Sequence, residues 1–207
     1  MDGDTKRKLS KRKDPELGLE YYRSEGYAPR AVWEYLMTVL NSNFEEWRLE
    51  NPDAPIDDFK FSLDKMSNSG ALFDIMKFED VSREVLLRTP ANKIYDEFSD
   101  WLKEYDPEFY KLFTRDKNYS EKIIDVGRNG NRPRKDLTSW KQARDFFSFY
   151  FPETFKVEDE FPERVSKEDR YKILKQYLTS FNIKDDNSEW FQKIRDITES
   201  MGYAVKP

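Results

Sequence analysis

The chain has 207 residues, of which 36 are basic and 41 acidic, and it contains no cysteine and no histidine. This length suits one or two small domains, each with room for a hydrophobic core. The two missing residue types exclude disulfide frameworks, zinc ribbons, thiol nucleophiles, Ser-His-Asp triads and histidine-based metal sites. No apolar run approaches the roughly 20 residues that span a bilayer, and the N-terminus lacks a signal peptide's apolar core, so we expect a cytoplasmic protein without a membrane segment.

The net charge of −5 conceals a strong pattern along the chain. Residues 1–13, the first basic island, carry six basic and two acidic groups, and residues 128–144, the second basic island, carry six and one. Residues 14–127 carry 14 basic and 25 acidic groups, and residues 145–207 carry 10 and 13. Two short basic islands therefore lie in an acidic chain, and a local patch matters more for binding than the total charge.

The first basic island has no apolar periodicity, which predicts a loop over residues 1–13. Apolar residues then recur at helical spacing through most of the chain, which predicts a mainly α-helical fold. Pro29 is a favourable first-turn residue, and the apolar stripe of the helix after it comprises Val32, Leu36, Val39 and Leu40. Alternation typical of a strand appears only briefly, over residues 59–63.

Longer helices with heavier aromatic stripes are predicted from residue 89 onwards. Thr89 and Pro90 are typical of a helix cap and first turn. We expect a helix start near Ser166, another at a Ser188 cap, and Gly202 at the end of the last helix. The stripes expected to pack a helical core are Ile94, Phe98, Trp101, Leu102 and Tyr105; Trp140, Ala143, Phe147, Tyr150 and Phe151; Tyr171, Leu174, Leu178 and Phe181; and Trp190, Ile194, Ile197 and Met201.

Within the first basic island lies the sequence Lys8-Leu9-Ser10-Lys11-Arg12. A run of basic residues is most often a solvated tail, and a localisation signal or an RNA-binding arm are the functional alternatives. The internal order of these five residues, however, resembles the KMSKS signature loop of class I aminoacyl-tRNA synthetases. It has the KLSKR form that is typical of glutamyl-tRNA synthetases.

The resemblance continues over the first 75 residues. Residues 26–29 (GYAP) with 33–36 (WEYL), and residues 65–67 (KMS) with 69–74 (SGALFD), are similar to ordered segments that follow the loop in bacterial-type glutamyl-tRNA synthetases. In that family the Phe-Asp pair opens a helix. Two further segments resemble the clostridial-like branch, namely 40–44 (LNSNF) and 132–136 (RPRKD).

The family resemblance implies a fold and an activity. It implies a signature loop at 1–13, a small α(+β) stem-contact domain at 14–88 and an α-helical bundle that binds the anticodon at 89–207. The whole enzyme would attach glutamate to tRNA using ATP, with magnesium carried by ATP. Lys8, Ser10 and Lys11 would act in catalysis, and together with Leu9 and Arg12 they would contact the ATP phosphates. Lysines in a closing loop suit this chemistry because negative charge builds on the departing pyrophosphate.

The absence of histidine indicates which part of such an enzyme the chain represents. Class I synthetases have a second signature, with the consensus His-Ile-Gly-His, in their catalytic domain, and this chain contains no histidine. We therefore expect a piece of a longer enzyme that lacks the catalytic domain, is truncated in its distal anticodon-binding part, is inactive by itself and is a monomer. The alternative is a non-enzymatic helical module that binds RNA or protein and has a basic N-terminal arm.

The second basic island is either a solvated connection or a tRNA contact. Arginines pair with phosphates and stack on unpaired bases, so a tRNA-binding body favours the second interpretation. The residues expected to contact the anticodon arm are Arg128, Arg132, Arg134, Lys135, Lys141 and Arg144. Paired carboxylates such as Asp57-Asp58 lack metal-loop spacing, so no metal site is predicted.

Overall fold

The computed structural model describes residues 18–66, 73–129, 132–157 and 165–203. These residues contain ten α-helices, two short 3-10 helices (Ile56–Asp58 and Leu63–Lys65) and no strand, which confirms the predicted mainly α fold. The α-helices are α1 (Leu19–Glu25), α2 (Pro29–Leu40), α3 (Phe44–Glu50), α4 (Ile75–Leu87), α5 (Ala91–Tyr105), α6 (Pro107–Phe113), α7 (Lys117–Asp125), α8 (Trp140–Ser148), α9 (Lys167–Ser180) and α10 (Asn187–Ser200). The predicted loop at 1–13 lies outside the described residues.

Local chemistry explains where several helices begin. Asp74 precedes α4, and its carboxylate accepts hydrogen bonds from the backbone N–H groups of Met76 and Lys77. Asp106, Asp116 and Ser139 cap α6, α7 and α8 in the same way. Such caps stabilise a helix by about 1 kcal/mol because they satisfy backbone donors that have no partner within the helix. The Phe-Asp pair singled out in the sequence therefore does open a helix.

The chain divides into two compact units, residues 1–156 and 157–207. The first unit has a core that is rich in phenylalanine. Phe98 of α5 lies at its centre, with ring centroids 4.9 Å from Phe113, 5.7 Å from Phe147 and 5.9 Å from Trp140. The predicted stripes of α5 and α8 supply many of the buried side chains, so they are confirmed as core. Aromatic pairs of this kind add about 0.5–1.5 kcal/mol each to the gain from burial.

The same core runs through the region where a domain boundary was predicted. Val85 and Leu86 of α4 belong to one buried cluster with Ile94 and Phe98 of α5. No division into compact units falls near residue 89, and the two units divide after residue 156 instead. The division into 14–88 and 89–207 stays a prediction about functional regions of the chain.

The face of α2 that packs inward differs from the predicted one. Ala31, Glu34 and Tyr35 are buried, whereas Leu36 and Leu40 of the predicted stripe remain 40% and 38% exposed. Polar partners explain the difference, because Glu34 pairs with two arginines and the Tyr35 hydroxyl accepts the Asp74 backbone N–H at 2.7 Å. The polar contacts of Glu34 and Tyr35 therefore decide which face of α2 is buried, and they leave Leu36 and Leu40 partly exposed.

The brief strand-like alternation at residues 59–63 does not correspond to a strand in the structure. Residues 60–62 are irregular and connect the two 3-10 helices. Phe59 is buried against the rings of Phe44 and Trp47, while the Asn41 side chain donates to the Ser62 carbonyl at 2.7 Å. These contacts hold the segment without any neighbouring strand among the described residues.

A tight junction joins α1 to α5 and α8. Gly26 ends α1 in the left-handed conformation (φ 76°), and its carbonyl accepts the Trp140 backbone N–H at 2.8 Å. The Trp101 indole donates to the Arg23 carbonyl at 3.0 Å. A Cβ on Gly26 would lie 2.5 Å from the Trp140 Cβ and 2.9 Å from the Trp101 Nε1. Glycine is therefore required both by the backbone angle and by the space.

The second unit is described over residues 165–203, which contain α9 and α10 packed on each other. Ser166 caps α9 and Gly202 has φ 77°, as predicted, whereas the cap of α10 is Asp186 and not Ser188. Asp186 and Glu189 form a reciprocal capping box, which places the helix start two residues earlier. The stripe predicted to be buried on α9 is exposed in the described structure, with Tyr171, Leu174 and Leu178 all on the surface.

Candidate nucleic-acid interface

The five residues of the signature-like loop, Lys8, Leu9, Ser10, Lys11 and Arg12, lie outside the described residues. Their proposed roles toward ATP stay predictions. The structure describes the second basic island except for residues 130 and 131, and all six of its basic residues are among those described.

Arg128 has a structural role that its position in a basic island does not suggest. Its guanidinium donates to the carbonyls of Leu86 and Thr89, each at 2.8 Å, and to that of Leu87 at 3.3 Å. These carbonyls lie at the C-terminal end of α4, where backbone acceptors have no helical partner. Burial lowers the pKa of Arg128 from its usual value. The side chain therefore closes the end of a core helix.

Truncation of Arg128 tests this role. We expect Arg128→Ala to lower the free energy of unfolding by about 2 kcal/mol, because part-buried carbonyls lose a charged donor. Urea denaturation followed by circular dichroism measures the loss. Arg132→Ala is the matched control, since Arg132 is exposed, and it should change stability by less than about 0.5 kcal/mol. Equal stabilities of the two variants would contradict the capping role.

The loop part of the second island presents three cations at the surface. Arg134 pairs with Asp136 at 2.7 Å, and its guanidinium lies 5.9 Å from the centre of the Phe146 ring. Lys135 pairs with Glu84 of α4. Arg132 is exposed and makes no hydrogen bond or ion pair with any other described residue. Among these three cations, Arg132 is therefore the one without a carboxylate partner in the described part of the chain.

The helical part of the island has its two cations engaged. Lys141 pairs with Glu25 at 2.7 Å, and this hydrogen bond raises the pKa of the Lys141 ammonium. Arg144 donates to Asp106 at 2.8 Å and lies over the Phe109 ring. Exposed ion pairs are worth only about 0–1 kcal/mol, so a phosphate can replace such a carboxylate at little cost. Arg144 is less available than Lys141, because it also packs against the core.

A cluster of arginines elsewhere in the first unit was missed by the sequence analysis. The Glu34 carboxylate of α2 accepts hydrogen bonds from Arg88 Nη2 at 2.9 Å (Oε1) and 2.8 Å (Oε2). It also forms an ion pair with Arg48, whose Nη2 lies 3.1 Å from Oε1. The Arg48 and Glu34 side chains are only 11% exposed, and Arg88 is 22% exposed. Arg48 also donates to the carbonyls of residues 51, 52 and 54. No local charge run marks these residues, which explains why charge counting missed them.

Within the described residues, no group of three or more Asp or Glu side chains is arranged to hold a metal ion. No helix in this part of the chain has both the length and the apolar character needed to cross a bilayer.

Comparison with known proteins gives the family. The chain is 53% identical over all its 207 residues to the glutamate–tRNA ligase of Acetivibrio thermocellus. It is 41% identical over 209 aligned residues to that of Clostridium perfringens strain 13, and 39% identical over 203 to that of Sorangium cellulosum. These alignments cover 100%, 99% and 97% of the chain, respectively.

The chain spans 38%, 38% and 36% of the length of these three relatives. No protein-family model matches it. The match to the Acetivibrio thermocellus protein includes residues 1–13, where the signature-like loop was identified, and the match to Clostridium agrees with the clostridial-like segments. The sequence-based assignment is thus confirmed: the chain belongs to the glutamate–tRNA ligase family.

Proposed function

We propose that this chain is the tRNA-binding part of a glutamate–tRNA ligase, and that the whole protein attaches glutamate to tRNA with ATP. The observation that carries the proposal is the 53% identity over the full chain to a protein with that name. A chance likeness of a basic arm on an unrelated RNA- or protein-binding module would not extend over 207 residues. The monomeric state and the cytoplasmic location expected from the sequence belong to the same proposal.

The roles within the chain follow from the chemistry of amino-acid activation. When ATP reacts with a carboxylate, pyrophosphate leaves and carries negative charge with it. Lys8 and Lys11 would stabilise this charge, and Ser10 would donate a hydrogen bond to a phosphate oxygen. Magnesium would arrive with ATP. Lys8, Ser10 and Lys11 would not activate glutamate by themselves. The second signature of class I synthetases, His-Ile-Gly-His, contains histidine, and this chain has none.

We assign residues 14–88 to contact with the tRNA stem and residues 89–207 to binding of the anticodon arm. The loop at 132–135 supports the second assignment, because Arg132 is exposed and has no hydrogen-bond or ion-pair partner among the described residues, and because Arg134 and Lys135 pair with the carboxylates of Asp136 and Glu84. Arg128 is left out of the proposed contact, since its guanidinium is occupied by three carbonyls.

The double variant Arg132→Ala/Arg134→Ala tests this interface. Each lost phosphate contact should reduce the steepness of log affinity against log salt concentration by about 0.7–0.9. Loss of both arginines should therefore reduce the steepness of this plot for tRNA binding by up to about 1.4–1.8. The measurement is a salt titration of binding to a tRNA that accepts glutamate. Lys103→Ala/Lys122→Ala, at two exposed positions outside the island, is the control with the same change in net charge. An identical slope for wild type and both variants would remove the loop from the interface.

A further inference from the structure

A second cationic site lies in the first unit, away from both basic islands. A surface cleft of about 260 Å³ opens between α2, α4, the start of α5 and the segment after α3. The charged side chains that line it are Arg30, Arg48, Arg88 and Lys93, with Glu34 and Asp53. Four cations therefore face two carboxylates, and the cleft is net positive in a chain that is acidic overall.

The arrangement of Glu34 leaves positive charge uncompensated. Its single carboxylate is shared between Arg48 and Arg88. Burial lowers the pKa of Arg48, and the like charge of Arg88 lowers it further. Asp53 also lines the cleft, but it forms no ion pair with either arginine in the described structure. A partly dry site in which two guanidinium groups share one paired carboxylate gains stability from a further anion, because low dielectric strengthens the attraction.

The two remaining cations of the cleft differ in their partners. Arg30 pairs with Glu97, which does not line the cleft, and its Nη2 donates to the Thr89 hydroxyl at 3.0 Å. The Nε atoms of Arg30 and Arg48 are buried and have no acceptor among the described residues. Lys93 is exposed and has no ion-pair partner in the described structure, so its ammonium is free to reach over the cleft.

The neighbouring pocket shows that this charge is local. A larger pocket of about 770 Å³ shares Glu34, Arg48 and Arg88 with the cleft. Its other charged side chains are Glu45, Asp74, Lys77, Asp80 and Glu84, so carboxylates outnumber cations there. Glu34, Arg48 and Arg88 thus lie between an acidic pocket and a basic cleft. An anion would bind in the cleft in preference to the pocket.

We propose that the cleft binds a phosphate group, and that its occupant is a backbone phosphate of the tRNA bound by this chain. Guanidinium forks match the oxygens of phosphate, and the cleft volume exceeds that of one phosphate group. A phosphodiester that is part of a long chain can enter because the site is a surface cleft and not an enclosed cavity. This inference rests on the proposed function, since it takes tRNA as the source of the phosphate.

Lys93→Ala tests the proposal without disturbing the packed arginines. Binding of a glutamate-accepting tRNA should lose about 0.7–0.9 of salt slope, the loss of one phosphate contact. Lys103→Ala, at an exposed position on the same helix, should keep the wild-type slope. An unchanged slope for Lys93→Ala would overturn the proposal. If wild type itself binds no tRNA, the proposed function fails, and that result is distinct from a failure of Lys93 alone.

Inorganic phosphate provides a second arm that does not depend on tRNA. The probe is the set of arginine Nε–H signals of the 207-residue chain in ¹⁵N-resolved NMR spectra. Addition of phosphate should shift the Nε–H signals of Arg30 and Arg48. If neither signal shifts, the proposed phosphate site is wrong. A shift with phosphate, combined with an unaltered tRNA slope for Lys93→Ala, would overturn RNA as the source and leave a free anion as the occupant.

Discussion

Glu34→Gln is expected to lower the free energy of unfolding by about 3–5 kcal/mol, the usual cost of breaking a buried ion pair on one side. The substitution keeps the volume of the side chain and removes its charge. Arg48 and Arg88 would then face each other, both at most 22% exposed, with no carboxylate between them. Uncompensated charge in a partly dry site is the dominant cost, since the amide can still accept a hydrogen bond.

Urea denaturation at several salt concentrations measures this loss. Glu104→Gln is the control, because the Glu104–Arg23 pair spans two helices as well but has side chains that are 51% and 62% exposed. An exposed pair contributes about 0–1 kcal/mol, so the control should change stability little. A Glu34→Gln variant as stable as the control would show that the two arginines are hydrated, and the electrostatic account of the cluster would be wrong.

The substitution Gly26→Ala should cost about 3 kcal/mol of unfolding free energy. A left-handed backbone at a residue with a Cβ costs roughly 1–2 kcal/mol. Crowding adds to this, since the new methyl group would lie 2.5 Å from the Cβ of Trp140, whose side chain is buried in the core. Overpacking of this kind costs roughly 1–3 kcal/mol.

Gly127→Ala separates the two causes. Gly127 has φ 72°, and the atoms that a Cβ would meet belong to the exposed side chain of Arg134, which can move away. Its cost should therefore be near the backbone term alone, about 1 kcal/mol. Thermal or urea unfolding of both variants gives the comparison. Similar losses for Gly26→Ala and Gly127→Ala would mean that α1 shifts to accommodate the methyl group.

Apolar periodicity predicted the elements whose burial is decided by hydrophobic packing. The stripes of α5 and α8 are core because nearly every side chain on their inner faces is aromatic or aliphatic. On α2 the inner face carries Glu34 and Tyr35. Charged residues are rarely buried unless they are paired, and the partners of Glu34 lie 14 and 54 positions away, so no local pattern could identify that face.

Charge counting found the second basic island but could not assign its members. Lys135, Lys141 and Arg144 pair with Glu84, Glu25 and Asp106, which come from other parts of the first unit. Arg128 and Arg132 have the same formal charge and lie four positions apart, yet one closes a helix and the other is exposed. The tertiary fold, which brings carbonyls and carboxylates to each cation, makes this difference.

The junction at Gly26 also bears on how the chain folds as it is synthesised. Lys141 and Glu25, which form an ion pair there, are 116 positions apart, whereas α2 with α4 and α5 with α7 join segments closer in sequence. At about 5–20 residues per second, a ribosome needs roughly 6–23 s to pass from one side of this junction to the other. Contacts that close a long loop form late. The contact of α1 with α8 must therefore wait until α8 has been made, whereas its contacts with Trp101 and Glu104 of α5 need only the earlier part of the chain.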